Sequence, residues 1–184
     1  MKKTLLIDMD SVLANLMKEW FERYNKDYGD NLTIDRAYDW NATSYVKKEC
    51  GYKIYDYLCQ PGIFLNLEPM PNAIDVLKRL ANRFEIIIVT SPPSKYAYLE
   101  KEEWLSKYVP FIDRNNIIFS HRKELIDGDL LFDDAPHNLI QFINCNKKAV
   151  AMDYPYNRGV SCPRVSDWLE FELKIDLIME HVSV

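Results

Sequence analysis

Two aspartates one residue apart, Asp8 and Asp10, follow directly on the apolar run Thr4–Ile7. A buried strand that ends in charge must meet a counter-charge there or open onto a site, because an unpaired buried charge is costly. Three more short apolar runs end in similar fashion. Glu85–Thr90 closes on Thr90 with Ser91 next, Asn116–Ser120 is followed by Lys123, and Leu130–Asp133 closes on Asp133 with Asp134 next. Open α/β sheets bind ligands beyond the carboxyl ends of their strands. Four such ends would bring carboxylates, hydroxyls and one lysine to a common rim.

That set suits phosphoryl transfer. Asp8 and Asp133 can hold a hard cation such as Mg²⁺ through oxygen, which would offset the repulsion among the acids and polarise a phosphate oxygen. A carboxylate at the metal can attack phosphorus and form an aspartyl-phosphate. Asp10, two residues on, is near enough to protonate the leaving oxygen and then activate water. Thr90 and Ser91 can donate hydrogen bonds to phosphate, and Lys123 supplies positive charge as the transition state develops.

The elements that would position these groups read as α/β. Continuous apolar runs at Lys3–Asp8, Glu85–Thr90, Asn116–Ser120, Leu130–Asp133 and Ala149–Met152 suit strands covered on both faces, as in a parallel sheet. Helical spacing lies between them: Ala73, Val76, Leu77 and Leu80 after Pro71, and later Trp104, Leu105 and Tyr108. The tail Ser166–Glu180 reads as an amphipathic helix with Trp168, Leu169, Leu173 and Leu177 on one face. The alternation breaks once. Leu16–Tyr28 is an aromatic-rich helix candidate, a second helical stretch runs over Tyr45–Leu58, and no buried strand appears before about Met70. The expected architecture is therefore a doubly wound core, residues 1–15 and 70–184, with a small helical insertion, residues 16–69, after the first strand.

Composition excludes several classes. The chain has 184 residues, 48% hydrophobic and 28% charged, with a net charge of −5. That is one globular domain's worth of chain, without the basic footprint of a nucleic-acid binder. No stretch approaches the ~20 apolar residues of a membrane span. The apolar run after Met1-Lys2-Lys3 is too short for a secretory core. Cys50, Cys59, Cys145 and Cys162 show no close paired spacing, so they are expected as free thiols in a cytoplasmic protein.

The set DMDSV, TS, a lysine and DD resembles the four motifs of the haloacid dehalogenase (HAD) superfamily of phosphatases. More narrowly, the chain is similar to the 5'(3')-deoxyribonucleotidase family. The closeness lies in DMDSVLAN, PGIFLNLEPMPNA (Pro61–Ala73), VTSP (Val89–Pro92) and HRKELIDGDLLFDDAPHNL (His121–Leu139). The resemblance implies a Rossmann-like core with a parallel sheet, a helical cap over the substrate, and a Mg²⁺-dependent phosphomonoesterase acting on nucleoside monophosphates. It implies Asp8 as nucleophile and metal ligand. Asp10 would be the acid/base that also binds metal through its carbonyl. Thr90, Ser91 and Lys123 would hold phosphate, Asp133 would ligate the metal, and Asp134 would support it. Where the family commonly reads DMDGVLAD, this chain has Ser11 and Asn15, followed by Leu16 where the animal enzymes often carry an aromatic. Trp40, Tyr45 and Phe64 are the candidates for an aromatic wall in its place.

Rival readings stay open at this point. Leu16 suits a sugar phosphate or another small phosphomonoester. A receiver-like phosphoacceptor module would also place an aspartate at a strand end, although Asp10 serves turnover better than a lasting phosphate. His121 and His137 read as ordinary loop histidines. Arg158 reads as an ion-pair partner or a phosphate contact. The expected partner is a small phosphomonoester, with neither nucleic acid nor membrane, and a homodimer is left open.

Overall fold

A computed structural model describes residues 2–180. Six strands form one parallel sheet in the order β3-β2-β1-β4-β5-β6: β1 Thr4–Ile7, β2 Glu85–Thr90, β3 Ile117–Phe119, β4 Leu130–Asp133, β5 Lys148–Met152 and β6 Arg164–Val165. The helices are α1 Leu16–Tyr28, α2 Ala73–Ala81, α3 Lys95–Tyr108, α4 Pro136–Asn144 and α5 Trp168–Glu180. This is a Rossmann-like α/β fold. The chain order reverses between β1 and β4, which is where such sheets open a crevice. The two-residue edge strand β6 has no counterpart in the sequence reading, being too short for a periodic signal.

Parallel strands are buried on both faces, and β1 shows it: Leu5, Leu6 and Ile7 have no exposed surface. Leu6 also fixes its surroundings. A Cβ placed on Gly128, in the turn before β4, would sit 2.6 Å from Leu6 Cγ and 2.9 Å from Cδ2. Gly128→Ala is therefore expected to overpack the core and cost about 1–3 kcal/mol, read as a lower urea midpoint at unchanged slope. An unchanged midpoint would mean that Leu6 repacks freely.

The face of α5 differs from expectation. Trp168, Phe171, Ile175, Ile178 and Met179 are buried, whereas Leu169, Leu173 and Leu177 are exposed at 46%, 84% and 56%. The helix carries two apolar stripes, and the aromatic one is chosen because it completes a cluster. Phe171 stacks on Phe132 at 4.1 Å, and Trp168 meets Phe132 edge-on at 5.3 Å. The Trp168 indole also donates to Val12 O at 2.7 Å, so α5 fastens the loop that follows β1.

Between β1 and α2 the chain forms α1 and three short 3₁₀ helices, Ile34–Arg36, Ala42–Ser44 and Gly51–Cys59. The expected second helix of this region is thus the 3₁₀ segment Gly51–Cys59. Its anchors are polar: Trp20 Nε1 donates to Ile54 O at 2.8 Å, and Tyr57 donates to Asp27 at 2.6 Å. The outgoing and returning chains run side by side. Asn15 N donates to Glu68 O at 2.8 Å and Met70 N to Leu13 O at 2.7 Å.

Candidate active site

Strand register brings the acids together. Ile7 pairs with Phe132 across β1 and β4, and Asp8 N donates to Phe132 O at 2.9 Å. Asp8 and Asp133 therefore leave the sheet as neighbours. Oxygens of Asp8, Asp133 and Asp134 lie within 4.8 Å of one another, and all three residues are buried. The 3₁₀ turn Lys123–Leu125 inserts Lys123 among them. Its amine bonds Asp8 and lies 2.6 Å from Asp133 Oδ2. The lysine is 2% exposed, far from a solvated surface residue. Asp133 is held further by Ala135 N at 2.8 Å and by Asn138 Nδ2 at 3.1 Å.

Burial pushes the Asp8 carboxyl up to about 7. Asp133 and Asp10 push the same way, against the pull of Lys123. Burial opposes charge on Lys123, but Asp133 and Asp8 outweigh it and hold the ammonium well protonated. Asp134 is raised well above the usual carboxylate range by burial and then by Asp8 and Asp133. One ammonium thus neutralises only part of a three-acid cluster. Hard oxygen donors, packed together and short of positive charge, fit a divalent cation of the Mg²⁺ kind.

Asp10 stands apart from the three. Its Oδ2 accepts from Lys101, while its Oδ1 is buried without a partner among the described residues. Lys101 escaped the sequence reading because it lies mid-helix in KEEW and looks solvated, yet it has no exposed surface. It also donates to Thr90 Oγ1 at 2.7 Å. Thr90 is fully buried with its hydroxyl on Lys101, whereas Ser91 lines the cavity and donates to Ser120 O at 2.7 Å. The two hydroxyls do not share one direction, because successive side chains of an extended chain alternate.

The stretch after β5 supplies two more unforeseen supports. Tyr156 donates to Asp134 Oδ2 at 2.5 Å, and Tyr154 donates to Ser11 O at 2.8 Å. Arg158 takes the first of its two expected roles, an ion pair with Asp153 at 3.0 Å. Ser11 takes φ +59°, the left-handed region that favours glycine. A serine here carries a backbone cost that the glycine usual in the motif would avoid.

These groups open into a cavity of about 500 Å³. Its floor includes Asp8, Asp10, Ser91, Lys123 and Asp134, and its walls include Leu16, Trp20, Trp40, Tyr45, Tyr55 and Phe64. Trp40, from the stretch between β1 and α2, meets His137 edge-on at 5.2 Å and Tyr156 at 5.5 Å. His121 and His137 both line the cavity, and burial lowers the pKa of His137. Trp40, Tyr45 and Phe64, the aromatic candidates named for the Leu16 position, all line this cavity.

Residues 2–181 match the model of a family described as 5' nucleotidase, deoxy (pyrimidine), cytosolic type C protein (NT5C). The chain belongs to this family. Among its relatives, the 5'(3')-deoxyribonucleotidase of Clostridium acetobutylicum is 41% identical over 170 residues, covering 92% of each chain. That of Bacillus subtilis is 32% identical over 179 residues, covering 95% of this chain and 99% of its own. Solved structures agree on the fold. A haloacid dehalogenase-like protein of Agrobacterium tumefaciens superposes with a TM-score of 0.64 at 11% identity, covering 98% of this chain and 100% of its own. A protein described as a HAD-hydrolase, YfnB of Bacillus subtilis, solved bound to magnesium, gives 0.59 at 16% identity, covering 96% and 98%. This NT5C family member is a nucleotide phosphatase with a haloacid dehalogenase-like fold. Among its described residues, no helix is long and apolar enough to cross a membrane.

Proposed function

We propose that this phosphatase hydrolyses deoxyribonucleoside 5'- or 3'-monophosphates through an aspartyl-phosphate on Asp8, with Mg²⁺ held by Asp8, Asp133, Asp134 and the Asp10 carbonyl. The observation that carries the reading is a cluster of three acids and one lysine, of which Asp8, Asp134 and Lys123 line an aromatic-walled cavity large enough for a nucleotide. Family membership and the two named relatives support the substrate class. Bound Mg²⁺ would supply Lewis-acid polarisation of a phosphate oxygen and charge neutralisation.

The chain's own residues do the rest. An Asp8 oxygen attacks phosphorus as the bond to the leaving oxygen breaks, and Asp10 gives that oxygen its proton. Water then gives a proton to Asp10 while its oxygen attacks phosphorus. The bond to Asp8 breaks, phosphate leaves, and both carboxyl groups return to their starting forms. Lys123 and Ser91 bind the phosphate oxygens. Residues 16–69 act as the cap that excludes water, and Trp40, Tyr45 and Phe64 take the place of the missing aromatic at Leu16. The aromatic walls favour a base over a bare sugar. Four free cysteines support a reducing, cytoplasmic setting.

Phosphate release from deoxynucleoside, ribonucleoside and sugar monophosphates tests the reading. Deoxynucleotides should turn over fastest, and EDTA should cut the rate by at least about a hundredfold, reversed by Mg²⁺. Equal rates on sugar phosphates would discard the nucleotide preference. Full activity in EDTA would discard the metal.

A further inference from the structure

We propose that Lys101 is the positioning residue that aims the acid/base carboxylate of Asp10. This rests on the phosphatase reading above and adds a group that the sequence motifs do not contain. Lys101 is fully buried on α3, and its three ammonium donors are all engaged: Asp10 Oδ2, Thr90 Oγ1 at 2.7 Å and Ser91 O at 3.4 Å. Asp10 therefore has one oxygen fastened. Its other oxygen, Oδ1, is buried and without a partner among the described residues, and Asp10 lines the cavity. A buried acceptor left open is unfavourable until a donor arrives. A carboxylate tied at one oxygen and vacant at the other is arranged to exchange a proton with an incoming group.

The lysine also joins this carboxylate to the cap. Its amine lies 4.7 Å over the Phe64 ring, a cation–π distance. The preceding residue, Glu100, accepts from Gly62 N at 2.5 Å and Phe64 N at 3.1 Å. One turn of α3 thus grips the returning cap segment with Glu100 and the acid/base group with Lys101. The cap wall and the proton donor share a single anchor.

A positioning role separates the two half-reactions. p-Nitrophenolate leaves phosphorus without needing a proton, so its release spares the first use of Asp10, whereas hydrolysis of the acyl phosphate still needs Asp10 as base. Rapid-mixing kinetics of Lys101→Met on p-nitrophenyl phosphate should show a burst of p-nitrophenolate near the wild-type initial rate. The steady rate should then be slowed about a hundredfold. On the preferred deoxynucleotide, kcat should fall similarly with KM changed less than about threefold, and Lys101→Arg should recover part of the loss. In an Asp10→Asn background, Lys101→Met should cost nothing further, since its effect runs through Asp10. Equal loss of burst and steady rate, or additive losses in the double variant, would overturn the proposal. Where near-ultraviolet circular dichroism shows Lys101→Met unfolded, Lys101→Gln carries the same comparison. A wild-type protein that turns over no phosphomonoester would instead overturn the phosphatase reading, and this proposal with it.

Discussion

Asp8→Asn is expected to abolish turnover, by roughly 10⁴-fold or more, as removal of a nucleophile does. It should do so without unfolding the protein, and the pH dependence of stability makes that checkable. The Asp8 carboxyl is held near 7 in the fold against 3.8 ordinarily, so the folded state binds the extra proton between those values. The stability this contributes is fully present below about pH 4 and is lost as pH rises through 7. Metal-free wild type should therefore weaken over that range, while Asp8→Asn should weaken less. Thermal melts in chelator from pH 4 to pH 8 read this directly. Retained activity would remove Asp8 as nucleophile, and an unchanged pH slope would remove the raised carboxyl as its cause.

Lys123→Met should have the second largest effect, and of the opposite sign in stability. It strips the cation from between Asp8 and Asp133, both buried. Removing one partner of a buried pair costs about 3–5 kcal/mol, because the remaining charge is left uncompensated. The loss should be greatest in chelator and smaller with Mg²⁺, which would stand in for the missing positive charge. Activity should fall about 10²–10³-fold even with saturating Mg²⁺, the scale for one electrostatic donor at a transition state. Denaturant titrations with and without Mg²⁺, beside kcat, separate the two effects. Equal stability in chelator would show that Lys123 is not holding the acids together.

Much of this architecture was legible because strand ends are local signals. An apolar run closing on Asp8 or Asp133 announces both its burial and its rim, and the register that joins them follows once the sheet is parallel. The strand-free stretch between β1 and α2 was legible as a gap in the strand rhythm. Other groups were illegible for physical reasons. Lys101 reaches the site across a helix–sheet packing that no spacing encodes. Tyr154 and Tyr156 sit in a loop where aromatics carry no periodic meaning. On α5 two apolar stripes compete, and only the presence of Phe132 in β4 decides for Trp168 and Phe171 over Leu169, Leu173 and Leu177. Thr90 and Ser91 read as a pair, but alternation along the backbone sends one hydroxyl to Lys101 and leaves the other on the cavity.

The place of β1 in the sheet has a consequence for synthesis. The strand that carries Asp8 precedes both of its neighbours, β2 and β4, by long stretches of chain. On the ribosome its Leu-Leu-Ile run emerges with no partner on either edge, and everything from α1 to α2 is made before β2 can pair with it. Such distant pairing slows folding and leaves apolar strand edges open to other chains meanwhile. The aromatic helix α1, which can collapse early on its own neighbours, comes out next. Expression at lower temperature, or with holdase chaperones in excess, should raise the soluble yield by shielding that interval rather than by altering the finished fold.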